Sequence, residues 1–138
     1  MKKIIMALIT LTLVTATPLL AVETKVDENY SIFRLHMGLG VGDAALSITE
    51  IQKFIDAEIT PRFIEGMTIY EGLGQWQAPE GLIKERTTVV DVQAPNTPEN
   101  QAKVEAIAKT YVDKYQEARV SLYVTRIDNT QNILYYNR

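Results

Sequence analysis

The chain has 138 residues, a formal net charge of −3, one His, one Trp and no Cys. An acidic balance without a Lys/Arg cluster lacks the basic footprint that phosphate neutralisation needs, so no nucleic-acid partner is expected. A Cys/His zinc site cannot be built from one His, no Asp-x-Asp-x-Asp-Gly calcium loop is present, and the expectation is a protein with no metal and no cofactor.

The first residues combine Lys2 and Lys3 with an apolar stretch from Ile4 to Leu20, then Ala21, then charged residues from Glu23. Thr10, Thr12, Thr15, Thr17 and Pro18 interrupt the stretch, whereas a membrane-spanning helix needs about 20 predominantly apolar residues. The pattern is that of a Sec-type signal peptide cleaved after Ala21. No Cys follows it to carry a lipid. The expected organisation is therefore a signal peptide over 1–21 and a single domain over 22–138, periplasmic or secreted, with no stable membrane anchor after cleavage.

Residues 22–29 are polar and read as a short lead. From Ser31 the sequence alternates, with Phe33, Leu35, Met37 and Leu39 on one side and Ile32, Arg34 and His36 on the other, which predicts a half-buried strand. Ser47 followed by Glu50 is a capping box, and Ile48, Ile51, Phe54, Ile55 and Ile59 share one helical face until Pro61 closes the helix. Met67 to Trp76 reads as a strand loosened by Gly72 and Gly74, a sign of a bulge or an edge. A turn at Pro79 and Gly81 leads to a second hairpin strand from Ile83 to Val92. Thr97 and Pro98 cap a second helix, in which Val104, Ile107, Ala108, Tyr111, Val112 and Tyr115 recur at helical spacing. A last strand is expected from about Arg119 to Ile127, with Val120, Leu122 and Val124 inward. The tail from Asn129 reads either as added strand or as a loose end.

The order β-α-β-β-α-β is the split βαβ, ferredoxin-like plan of the α+β class. It predicts a four-stranded antiparallel sheet with strand order 4-1-3-2 and both helices on one face, because such crossovers are right-handed. The other face is then left to solvent, a ligand or a second subunit.

The stretches "TPRF", "GQW" and "GLIKERT", with Gly66 and Thr68 between the first two, resemble the bacterial family called domain of unknown function 3574. The resemblance runs from about Leu35 to Ile127. It implies the same fold and an exported protein, and it assigns no activity, because the family has none established.

Chemistry-bearing residues are few. "GLGVGD" brings its third glycine one position early for a dinucleotide fingerprint, and no Gly-x-Ser-x-Gly accompanies His36 to make a nucleophile elbow. Arg62, placed between a Pro and a Phe, needs a fixed acceptor. Glu85 on the hairpin is the expected partner, in a buried pair whose loss costs about 3 kcal/mol or more. Alternatively Arg62 joins Gln75 and Trp76 to recognise a small anionic ligand. Tyr70, Trp76 and Tyr123, with Arg34 and His36 on neighbouring strands, are expected to share the open face and suit a homodimer contact or a ligand cleft. Two functions follow as expectations: a binding or interaction module using the open sheet face, or a small-molecule enzyme of dimeric α+β barrel type in which His36, Arg62 or Glu85 does acid-base or anion-holding work. The second rests on fold analogy.

Overall fold

The computed structural model of the protein describes residues 26–133, with side chains described from 29 to 128. The expected signal peptide, the lead before Val26 and the last five residues of the tail lie outside the described residues. Strand β1 covers Val26–Gly38, helix α1 Ile48–Phe54, β2 Met67–Ala78, β3 Gly81–Pro95, helix α2 Pro98–Lys114 and β4 Leu122–Ile133. All pairings are antiparallel and the order is β2-β3-β1-β4, as the split βαβ plan requires. No helix among the described residues is long and apolar enough to cross a membrane.

The alternation in β1 sets the layers. Phe33, Leu35 and Met37 are buried and join Val90 and Val92 of β3 in one core with Ile51, Phe54, Val104, Ile107 and Tyr111 of the two helices. Both helices therefore cover the same sheet face. The Tyr111 hydroxyl donates to the Gly38 carbonyl at 2.8 Å, tying α2 to the end of β1. Burial pushes its phenol pKa well above the ordinary tyrosine value.

Helix α1 starts as expected: Ser47 Oγ accepts the Glu50 N–H at 3.2 Å and Glu50 Oε2 accepts the Ser47 N–H at 2.8 Å. Its end differs. Ile55–Ile59 forms a π-helical turn in which the Ile55 carbonyl accepts the Thr60 N–H at 2.9 Å. The wider turn keeps both Ile55 and Ile59 buried just before Pro61 ends the helix.

Other boundaries also differ from the sequence reading. Residues 26–29 belong to β1 rather than to a lead, because the far end of β4 supplies their partners, Val26 with Ile133 and Asp27 with Asn132. Those same pairings extend the last strand into the tail. At its start, Arg119 stands in the left-handed region (φ 54°, ψ 42°) after a 3-10 turn at Gln116–Ala118, so β4 begins only at Leu122. Val124 faces the core side yet stays 37% exposed, because β4 is an outer strand. Gly72 and Gly74 lie in unbroken register, so they mark an edge strand and not a bulge.

Candidate functional site

The register builds the open face in rows. Tyr70 pairs with Val89, Val89 with His36 and His36 with Tyr123, one residue from each of the four strands. The His36 and Tyr123 rings stack with centroids 4.5 Å apart and planes 13° from parallel. In the adjacent row, Arg34 Nε and Nη2 donate to Asp91 Oδ1 and Oδ2, both at 2.7 Å, and the Tyr70 hydroxyl reaches Asp91 Oδ2 at 3.5 Å. The fork from Arg34 holds the Asp91 carboxyl below its ordinary pKa. Partial burial, with the Arg34 charge second, lowers the pKa of the His36 imidazole, which favours the neutral ring.

On the other side of the His36 row two positions have no side chain. Gly38 ends β1 and Gly74 faces Glu85 across the hairpin, and together they leave a hollow of about 270 Å³. Glu85 lies in this hollow, its Oε2 accepting the Gly40 N–H at 3.2 Å. Burial raises its pKa and the Gly40 bond opposes that rise only in part. The stacked rings bound the hollow on one side, Gln75 and Trp76 on another, and Arg119 and Ser121 come from the connection into β4. A Cβ on Gly38 would lie 2.6 Å from Glu85 Oε1 and 2.7 Å from Ser121 Oγ, so the hollow depends on that glycine.

The expected Arg62–Glu85 pair is not formed. Arg62 Nη1 donates to Glu58 Oε2 at 2.8 Å and to the Glu58 main-chain carbonyl. Glu58 stands one helical turn earlier and needs no long-range folding to reach the guanidinium, so the local carboxylate wins. Arg62 sits in a separate cleft with Phe63, Gln93 and Lys103, and the expected grouping with Gln75 and Trp76 is likewise not formed. Of the expected residues, His36, Gln75, Trp76, Glu85 and Tyr123 meet in the hollow. Arg34 and Tyr70 reach the same face through Asp91. Sequence reasoning missed Asp91, Gly38, Gly74 and Arg119. Asp91 shares the period-two face of Glu85 and was open to discovery; Arg119, at a chain reversal, carries no such pattern.

Chemically, the site offers a carboxylate that no cation of the described residues neutralises, set among three aromatic rings. Such a carboxylate accepts a cationic or hydrogen-bond-donating group, and the rings offer flat apolar surface. Among the described residues no cluster of three or more His, Cys, Asp or Glu is placed to hold a metal ion.

The fold and this hollow define a small antiparallel α+β protein with one helix-covered face and one open face. The chain belongs to the family described as "Protein of unknown function (DUF3574)", whose profile matches residues 33–131. Similar solved structures include a phage SAM lyase in complex with S-methyl-5'-thioadenosine, at 15% identity and a TM-score of 0.57, covering 83% of this chain and 94% of that one. CutA from Synechococcus elongatus is another, at 7% identity and a TM-score of 0.50, covering 78% of this chain and 85% of that one. At these identities the likeness is one of fold. A comparison with curated proteins gives no match.

Proposed function

We propose that the protein is an exported binding module whose open sheet face holds a small molecule bearing a flat ring and a positively charged group. The observation that carries this reading is Glu85: a part-buried carboxylate whose one hydrogen bond comes from the Gly40 N–H, facing a hollow walled by Trp76 and the His36–Tyr123 stack. A carboxylate drawn partly out of water without a counter-charge lowers stability, and such arrangements cluster at functional sites. The anionic-ligand reading loses its main residue, since the Arg62 guanidinium is engaged by Glu58. Export rests on the pattern of residues 1–21, and an intact mass that begins at Val22 is the result that supports it.

Trp76 is the sole Trp and lines the hollow, so its fluorescence reports occupancy. Phenethylamine, a minimal flat-ring cation, is the probe, and S-methyl-5'-thioadenosine, with which a protein of similar fold is seen in complex, is the flat-ring comparator without a positive charge. A saturable change in Trp76 emission with phenethylamine supports the reading; a flat response to it overturns the reading.

A second reading, a homodimer through the same face, is favoured by Tyr123, Trp76 and Tyr70, which are 61%, 41% and 40% exposed. The β2–β3 hairpin also continues beyond the last β1 pairing, Gly38 with Thr87, and exposes Leu73 and Leu82. Sedimentation velocity separates the two: a concentration-dependent dimer favours association, a monomer favours a ligand. The enzymatic alternative narrows to His36 and Glu85.

A further inference from the structure

Arg119 differs from the other arginines among the described residues. Arg34, Arg62, Arg86 and Arg126 each hold a carboxylate at 2.7 to 2.9 Å, to Asp91, Glu58, Glu71 and Asp128 respectively. Among the described residues, neither an ion pair nor a side-chain hydrogen bond engages the Arg119 guanidinium. Yet Arg119 lines the same hollow as Glu85. Two residues of opposite charge thus line one hollow, and no ion pair joins them.

The backbone beneath Arg119 is held, while none of the described residues engages its head group. Ala118, just before it, is buried, and the carbonyl of Ser121, two residues on, accepts the Gly38 N–H at 2.8 Å. Arg119 itself is the sole non-glycine residue at positive φ among the described residues, at a helix end where Gly or Asn ordinarily stands. Backbone preference therefore does not explain an arginine at this position.

We infer that the ligand of this hollow is zwitterionic, with Arg119 receiving its carboxylate and Glu85 its ammonium group, so that the chemical class is an α-amino acid or close relative with a flat side chain. The inference rests on the proposed ligand site and goes further by naming both charges of its occupant. A guanidinium fork matches a carboxylate in two parallel hydrogen bonds, and Glu85 accepts from an ammonium in a partly desolvated setting. The rings of Trp76 or Tyr123 then take the flat group.

The test compares phenylalanine with phenethylamine, which lacks the carboxylate, and 3-phenylpropionate, which lacks the amine, by Trp76 fluorescence on the wild-type chain and on Arg119→Gly. Glycine accepts positive φ without steric cost, so this variant keeps its fold, and its thermal midpoint is recorded alongside. The expected result is phenylalanine binding at least about tenfold more tightly than either comparator to the wild type, with its advantage over phenethylamine lost in Arg119→Gly. If phenethylamine binds the wild type but phenylalanine binds no better, or the advantage survives in Arg119→Gly, the inference is overturned and the ligand site stands. If phenethylamine does not bind the wild type, the site reading fails and this inference fails with it.

Discussion

The Glu85 carboxylate occupies the place that a side chain on Gly38 would need: a Cβ built there lies 2.6 Å from Glu85 Oε1. Gly38 is not at positive φ, so alanine suits its backbone and the conflict falls on the side-chain ends of Glu85 and Ser121. Gly38→Ala is expected to fold and to weaken phenethylamine binding at least about tenfold, because the carboxylate is displaced. Gly40→Ala is the control with the opposite outcome. At φ +83°, with the Ala118 carbonyl 2.0 Å from its Cβ, it is expected to lose at least about 2 kcal/mol in a denaturant titration.

Glu85 also gives the protein a pH signature. Its folded pKa lies above the ordinary 4.5 because burial penalises the carboxylate. The unfolded chain therefore releases this proton first, and the Glu85 contribution to stability falls as pH rises from the ordinary carboxylate value through the folded one. Asp91 and Asp128, whose folded values are lowered, contribute with the opposite sign and lose stability as pH falls through those values. The difference between wild type and Glu85→Gln isolates the Glu85 part. The variant is expected to be the more stable above that window and to lose binding of the amine; thermal unfolding across a pH series reads the first and Trp76 fluorescence the second.

His36 is the single histidine, so one imidazole resonance reports it. Its NMR titration midpoint is expected below the ordinary 6.5, with burial the larger cause and the Arg34 charge the smaller. Because the folded value is lowered, the His36 contribution is present above 6.5 and is lost as pH falls through that value toward the folded one. Arg34→Ala should raise the midpoint without restoring it fully, since burial remains. A midpoint above the ordinary value in the wild type contradicts the stacked, part-buried placement.

Arg62→Ala is expected to cost about 1 kcal/mol, the range for a part-exposed i,i+4 pair at a helix end with one added hydrogen bond. The sequence alone suggested three times that, on the premise of a buried partner on the hairpin. With the guanidinium one turn from Glu58, chemical denaturation should find a small loss and ligand titration no change. A loss of about 3 kcal/mol would restore the buried-pair reading.

That contrast shows which parts of the molecule the sequence made legible. The alternation from Phe33 to Met37, the capping box at Ser47 and Glu50, and the Thr97-Pro98 cap are local signals, and each element stands where they pointed. Strand order followed from element order by the handedness of crossovers. The strand at Val26 was hidden because its partner at Ile133 lies at the other end of the chain. The hollow was hidden for a different reason. It is made largely by missing side chains at Gly38 and Gly74, which reach the same place only once β1 and the hairpin pair through β3. The sequence offered Glu85 as the partner of Arg62, and the guanidinium pairs with Glu58 instead.

The central claim is that Glu85 and the rings around it bind a small cationic ligand, and the most direct test is Trp76 fluorescence during titration of phenethylamine into the wild type and into Glu85→Gln. The account predicts a saturable change in the wild type that weakens at least about tenfold in Glu85→Gln while both proteins remain folded by circular dichroism. A flat response in the wild type, or equal affinity in the two proteins, would contradict it.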